Sequence, residues 1–311
     1  RDDRARWLDE ALRSSLEVLD SYPDPSAARA ALAGRHRRRV DEVLPTAGGA
    51  EAFTLIARAR PWRLPVVVHP QFTEPEAALL AAGHEVRRVL LRVDDGFRLD
   101  ADAVPGDADL VIVGNPTNPT SVLHPASTLR SLVRPGRVVV VDEAFMDAVP
   151  GETESLSNES IPGLITVRSL TKTWAIPGVR AGYVVGDPEV LSDLAAQQPP
   201  WSVSTPAAAA MIACAAPRAT DGATSIADEI ATDRAALVEA LAGLGLEVAG
   251  DPAAPFVLVR VAPRTRESLR SKGFALRRGD TFPGLGDEWV RIAVRDRAVT
   301  AALTDAWRSI L

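Results

Sequence analysis

Val138-Val139-Val140-Val141-Asp142-Glu143-Ala144-Phe145 is the stretch from which the fold can be read. Four successive valines make a strand with no polar face. Such a strand has to be covered on both sides, as in a parallel sheet flanked by helices. The run ends in a carboxylate, Asp142, at the C-terminal edge of the strand, where open α/β sheets bind their ligands. A carboxylate there can hold a metal, a ribose hydroxyl or a protonated ring nitrogen. N-capping or turn chemistry by Asp142 is an equally good reading of the residues alone.

The same texture repeats outward. Short apolar runs at 66–69, 86–91, 110–114, 165–169 and 182–185 alternate with helical stretches near 49–59, 74–82 and 125–133, the pattern of βαβ architecture. After Asp187 an Ala-rich region runs to about Ala242, followed by shorter strands at 246–249, 256–261, 274–277 and 290–294. A chain of 311 residues is long enough for more than one core. The expected division is a large α/β domain over 21–216 and a smaller α+β domain combining 217–311 with the first helix, 1–20.

Composition removes several functions. The net charge is −6 and only 5% of residues are aromatic, so the run Arg35-His36-Arg37-Arg38-Arg39 reads as a solvated helix end, not a nucleic-acid patch. The single cysteine, Cys214, allows no disulfide, and its apolar surroundings mark it as a small core residue rather than a nucleophile. None of His36, His69, His84 and His124 stands in a metal-ligand spacing, so no metal is expected. No apolar run has the length of a membrane span, and the charged N-terminus does not resemble a signal sequence, which points to the cytoplasm. The sequence opens inside an amphipathic helix, 2–19, so a leading segment is expected ahead of it.

Three further segments carry chemistry. In Ser169-Leu170-Thr171-Lys172-Thr173-Trp174-Ala175-Ile176-Pro177-Gly178-Val179-Arg180-Ala181-Gly182-Tyr183, a strand ends in hydroxyls and a lysine, and an arginine feeds the next strand. That set suits an anionic phosphate, and the neighbouring cation lowers the lysine pKa toward the free amine a Schiff base needs. A surface loop with routine charges is the alternative. Gly114-Asn115-Pro116-Thr117-Asn118-Pro119-Thr120 is a rigid turn at the sheet edge, able to hold a side-chain amide in place or to serve only as a turn. Pro45-Thr46-Ala47-Gly48-Gly49-Ala50-Glu51-Ala52 opens a helix with small residues, leaving backbone N–H groups for an anion. It lacks both the dinucleotide glycine pattern and the Walker lysine.

Together and in this order, from about Ser21 to Arg295, these segments resemble the fold-type I pyridoxal phosphate (PLP) enzymes of the class I/II aminotransferase group. The resemblance implies a PLP-dependent transferase-like α/β fold with a mostly parallel, seven-stranded central sheet and a smaller α+β domain. It implies that Lys172 forms the Schiff base and shuttles protons, that Asp142 pairs with the ring nitrogen, and that Asn118 meets the ring's phenolic oxygen. Ser169, Thr171, Arg180, Gly49 and Ala50 would cradle the cofactor phosphate, and Phe72 would stack on the ring. Tyr22, in Ser21-Tyr22-Pro23-Asp24-Pro25, matches a tyrosine that reaches the phosphate of a neighbouring subunit, which implies a homodimer with shared sites. Arg291 matches the arginine that grips the substrate's anionic group.

The chain departs from the family in three places. Ser121 stands where a glycine is usual, and Phe145 where many members have a tyrosine. The family's N-terminal segment that helps close the substrate site is not in this chain. The resemblance is closest to threonine-phosphate decarboxylases and histidinol-phosphate aminotransferases. Asp142–Phe145, 175–178 and 277–285 look more like the decarboxylases. A substrate with a carboxylate and a phosphate needs at least two cationic grips, which Arg277, Arg278, Arg291 and Arg295 can supply. The expectation is therefore an L-threonine O-3-phosphate decarboxylase of cobalamin biosynthesis. A histidinol-phosphate or related aminotransferase is the alternative, and a PLP-fold protein without catalysis the minor one.

Overall fold

A computed structural model describes residues 5–310. Its main sheet has seven strands: β1 (Val43–Thr46), β2 (Pro65–His69), β3 (Arg87–Leu90), β4 (Leu110–Gly114), β5 (Val138–Asp142), β6 (Leu164–Ser169) and β7 (Gly182–Gly186), in the order β1-β7-β6-β5-β4-β2-β3. The pairs from β3 through β6 are parallel, and β7 runs antiparallel between β6 and β1. A second sheet, β8 (Phe256–Arg260), β9 (Arg277–Arg278) and β10 (Trp289–Ala293), has the order β8-β10-β9 and is antiparallel. Among the described residues ten α-helices complete the fold: α1 (Arg6–Ser14), α2 (Ser26–His36), α3 (Gly49–Ala59), α4 (Glu74–Ala81), α5 (Ala126–Ser131), α6 (Pro188–Gln197), α7 (Thr205–Ala215), α8 (Pro217–Ala242), α9 (Thr265–Ser271) and α10 (Arg297–Arg308).

The all-apolar strands are buried along their whole length, as their composition requires: every residue of β2, β4, β5, β6 and β7 is buried. On one face Leu44, Val140 and Val167 pack with Phe53 and Ile56 of α3 and Leu191 of α6, and on the other Val111, Val139 and Val141 pack with Leu129 of α5. β1 was not foreseen. Val-Leu-Pro-Thr is too short and too interrupted to announce a strand, and pairing with β7 creates it.

Two expectations are corrected. Leu8 of α1 lies in one cluster with Ala28 and Leu32 of α2 and Met211 of α7, so the first helix packs on the large layer rather than beside the second sheet. Residues 1–4 of that expected helix lie outside the described residues. The Arg35–Arg39 run is a solvated end only at Arg37 and Arg39, which are exposed. Arg35 pairs with Asp147 at 3.0 Å and Arg38 with Glu42 at 3.0 Å, all four side chains being buried. His36 is buried too, between Tyr183 Oη at 2.9 Å and Asn158 Oδ1 at 3.0 Å, and burial pushes its pKa down to about 3. Cys214 is a core residue, its thiol raised by burial to about 12. Among the described residues no helix is long and apolar enough to cross a membrane.

Candidate active site

The topology brings four chain segments to one edge of the sheet. β4, β5 and β6 are parallel and end there, in Gly114, Asp142 and Ser169, while the antiparallel β7 begins there at Gly182 and β1 ends there at Thr46. Asp142 is almost fully buried at the mouth of β5, and its Oδ1 accepts the N–H of Ala144 at 3.0 Å. Burial raises its carboxyl to about 6, opposed by the Ala144 N–H and by Lys172 and reinforced by Glu143.

Beside it, Lys172 sits just beyond β6, open to the cleft, with Nζ 5.6 Å from the centre of the Phe145 ring. Desolvation lowers its pKa, and Arg291 and Arg180 lower it further, while Asp142 works in the opposite direction. The hydroxyls of Ser169 and Thr171 are buried and 2.8 Å apart. Arg180 and Gly48 both adopt left-handed backbone conformations, with φ of 59° and 82°, and lie against each other. A Cβ on Gly48 would come within 2.7 Å of Arg180 Nη2, and one on Gly182 within 2.8 Å of Gly48 Cα and 3.0 Å of Gly49 N. Only glycine at both places lets the β1–α3 turn nest against β7. The N–H groups of Gly49 and Ala50, in the first turn of α3, have no acceptor within the helix. With the Arg180 guanidinium and the two hydroxyls they form a concave donor set for a dianion.

The turn after β4 is held by a buried network. Asn115 Nδ2 donates to the His124 carbonyl at 3.2 Å and its Oδ1 accepts the His124 N–H at 2.7 Å. His124 Nδ1 accepts the Leu99 N–H, so Nε2 is the donor toward Thr117 Oγ1, which in turn donates to the Gly114 carbonyl. Burial lowers His124 to about 4, so the ring is neutral and the tautomer follows from these partners. This places Asn118, whose Oδ1 accepts a 2.6 Å hydrogen bond from Arg291 Nη1 of β10. The Asn118 amide N–H groups face no recorded protein acceptor among the described residues.

Arg291 comes from the second sheet, 173 residues away in sequence. Its guanidinium lies 4.8 Å over the Phe256 ring, and Phe256 meets Phe145 edge to face at 4.9 Å. An aromatic pair thus stands between the two cations Lys172 and Arg291, a feature sequence reasoning missed because its members are 111 positions apart (145 and 256). Burial, then Arg277, lowers Arg291 to about 10, and its Nε is buried without a hydrogen-bond partner.

Not all expected residues converge. Arg277, 5.4 Å over the Phe282 ring, is close enough to influence Arg291. Arg278 is next to it on β9 and points the other way, where Asp280 engages both its Nε, at 2.6 Å, and its Nη2. Arg295 lies past the end of β10, exposed, and the structure ties it to none of the site residues. Of the four arginines expected to supply at least two grips, only Arg277 and Arg291 lie near each other. Phe72 follows β2 at the same edge, half-buried, 6.4 Å from the Phe53 ring. Tyr22 is 77% exposed and stacks on Trp201 at 4.3 Å.

Behind the edge lies an ionic cluster. Arg168 is 1% exposed and pairs with Glu143 at 3.0 Å, with Glu152 at 2.7 Å and with Asp147. Since strands alternate faces, Asp142 and Ser169 reach the cleft while Glu143 and Arg168 are tied together behind it. A lone arginine inside the apolar strand Leu-Ile-Thr-Val-Arg-Ser was the available signal.

The family model "Aminotransferase class I and II" matches residues 5–306. A histidinol-phosphate aminotransferase of Mycobacterium tuberculosis is 49% identical over 294 residues, covering 93% of this chain and 80% of that protein. The threonine-phosphate decarboxylase of Salmonella typhimurium is 31% identical over 315 residues, covering 97% and 86%. Among solved structures, a histidinol-phosphate aminotransferase from Clostridium acetobutylicum superposes with a TM-score of 0.89 at 24% identity, over 98% of this chain and 95% of that one.

Proposed function

We propose, from the premise that the chain belongs to the class I and II aminotransferase family of PLP-dependent enzymes, that it is an aminotransferase for a small amine carrying one phosphate group, histidinol phosphate being the best fit. The observation that carries this is the ranking of the relatives, with which the cations near Asn118 are compatible. Arg291 and its neighbour Arg277 match one phosphate dianion. A substrate with a carboxylate and a phosphate carries a further negative charge, and Arg278, expected to meet it, is held by Asp280. The greater identity to a histidinol-phosphate aminotransferase, 49% against 31% for the decarboxylase, supports the same order. The decarboxylase, the first expectation from sequence, becomes the second reading.

The donor set fits PLP. The cradle of Arg180, Ser169, Thr171 and the α3 N-terminus suits its phosphate, and a Cβ on Gly48 would fill that cradle. A carboxyl raised by burial at Asp142 gains a partner in a ring N–H. When bound, PLP withdraws electrons from whichever substrate Cα bond stands perpendicular to its ring. The Asp142 carboxylate holds the proton at the ring nitrogen. Asn118 donates from Nδ2 to the ring oxygen while Oδ1 keeps Arg291 in place. Lys172 Nζ, with its lowered pKa, would hold the cofactor and then take the proton from the substrate's Cα and pass it to the cofactor. Phe72 covers the ring, and Arg291 with Arg277 fixes the phosphate and so the substrate's rotation. Tyr22, presented on Trp201, reaches the cradle of a second copy in a homodimer. Residues 21–216 form the cofactor lobe and 217–311 the smaller one, in a cytoplasmic enzyme.

The test is direct. Purified protein supplied with PLP should show a visible cofactor band that is absent in Lys172→Ala. Incubation with histidinol phosphate and 2-oxoglutarate should yield glutamate. Release of CO₂ and aminopropanol phosphate from O-phospho-L-threonine, without glutamate formation in the first assay, would reverse the order of the two readings.

A further inference from the structure

We propose that Ser121 is a positioning residue for anion binding, clipping the loop that carries Asn118 onto the sheet that carries Arg291. This rests on the reading of Arg291 given above. Ser121 is fully buried with φ of 66°, in the left-handed region that a serine enters only under strain and a glycine enters freely. Its N–H donates to the Thr117 carbonyl at 2.7 Å and closes the loop around Asn118. Its Oγ accepts the N–H of Ala254 at 2.7 Å, and its carbonyl accepts that of Ala253 at 2.7 Å. Val122 bridges to Pro252 in the same segment. From the other side, Arg234 of α8 donates to the Ala253 carbonyl at 2.9 Å.

Two residues beyond Ala254, β8 begins at Phe256, whose ring carries the Arg291 guanidinium. Arg291 then returns to Asn118 Oδ1. The contacts form a closed circuit: Ser121, Ala254, Phe256, Arg291, Asn118 and back through Thr117. Glycine at 121 would hold the same turn with less strain, and what it would lack is the hydroxyl. That hydroxyl is spent on the second sheet. Its effect is to hold Arg291 at a set distance from the cofactor loop before an anion arrives, so that binding does not have to supply the order.

The test uses PLP-loaded protein, in which the Arg180 cradle is filled, with inorganic phosphate as the probe and calorimetry as the readout. Ser121→Gly should keep its melting temperature within a few degrees, since relaxed backbone and lost hydrogen bond offset each other. It should bind phosphate about five-fold more weakly, the fold-change of one ordinary hydrogen bond. In an Asn118→Ala background the same change should cost less than about two-fold, because the circuit is already open. A turn with a purely structural role would move the melting temperature and leave phosphate affinity alone. Ser121→Ala keeps the strain and loses the hydroxyl, so it should match the glycine variant in affinity and melt lower; if it does not fold, the glycine variant still decides. Unchanged affinity in Ser121→Gly, or full additivity with Asn118→Ala, overturns the clip. If Arg291→Leu binds phosphate as wild type does, the anion reading of Arg291 falls, and this proposal with it.

Discussion

Asp142→Asn should make the cofactor-free protein more stable at neutral pH, relative to wild type, than it is in acid. Asp142 is buried and its carboxyl is raised from 3.8 to about 6, burial being the leading cause. A carboxyl whose folded pKa is raised favours the folded state when protonated. That contribution is fully present below about 3.8 and is lost as pH rises through about 6. At ~1.4 kcal/mol per pH unit the whole loss is roughly 3 kcal/mol, of which about 2 kcal/mol falls between pH 4.5 and 7.5. For 311 residues at ~2.1 cal/mol/K each, the unfolding entropy is about 0.65 kcal/mol/K, so the expected change in melting temperature is about 3 °C. Calorimetry of both cofactor-free proteins across that range isolates the effect, since every other group titrates in both. The gap should close once PLP is added, because a ring N–H gives the wild-type carboxylate the partner that the asparagine variant cannot use as an anion. Melting curves for the two cofactor-free proteins that run parallel within about 1 °C would refute the reasoning.

Other perturbations separate the parts of the site. Arg291→Leu removes a charge-assisted grip and should lower kcat/KM for a phosphorylated amine by about 10- to 100-fold, whereas Arg278→Ala, which loses only the pair with Asp280, should change it less than about three-fold; steady-state kinetics on both variants decides whether the second cation belongs to the site. Gly48→Ala forces a Cβ to within 2.7 Å of Arg180 Nη2 at φ of 82°, so the cradle must open, and PLP should be lost on dialysis under conditions where wild type stays coloured. Arg168→Leu leaves Glu143 buried without its cation and Asp147 with Arg35 alone, and should destabilise the fold by about 3–5 kcal/mol in urea unfolding; a loss below about 1 kcal/mol would mean that the cluster is already solvated.

What could be read in advance was whatever lies within one continuous segment. A strand's burial on both faces is written in its own residues, so β4 and β5 were legible to the residue, with 110–114 and 138–142 matching Leu110–Gly114 and Val138–Asp142. The residues proposed to meet the cofactor stand at strand ends, Asn118 after β4, Asp142 ending β5 and Lys172 and Arg180 between β6 and β7, and for that reason they could be named together from the sequence. β1 was not legible, because a four-residue stretch containing a proline becomes a strand only through pairing with β7. The basic run at 35–39 looked solvated because the partner of Arg35, Asp147, comes from elsewhere in the fold, whereas Glu42 stands only four positions after Arg38. Likewise nothing in Phe145 alone announces Phe256.

The substrate side was misread for a reason that lies in strand geometry. Four arginines close to the C-terminus were named as able to supply at least two grips, but a cation contributes only if its side of the strand faces the cleft. Arg277 and Arg278 are neighbours on the two-residue strand β9, so alternation turns them to opposite sides whatever their chemistry. Asp280, two positions on, then holds Arg278 where it points. Because Arg277 pairs in register with Arg291, it is the β9 arginine on the Arg291 side. A one-residue slip of β9 against β10 would exchange the two arginines, setting Arg278 beside Arg291 and leaving the number of cations there unchanged. Which arginine accompanies Arg291 therefore rests on the register of a strand two residues long, and the Arg278→Ala comparison reads that register out in kinetics.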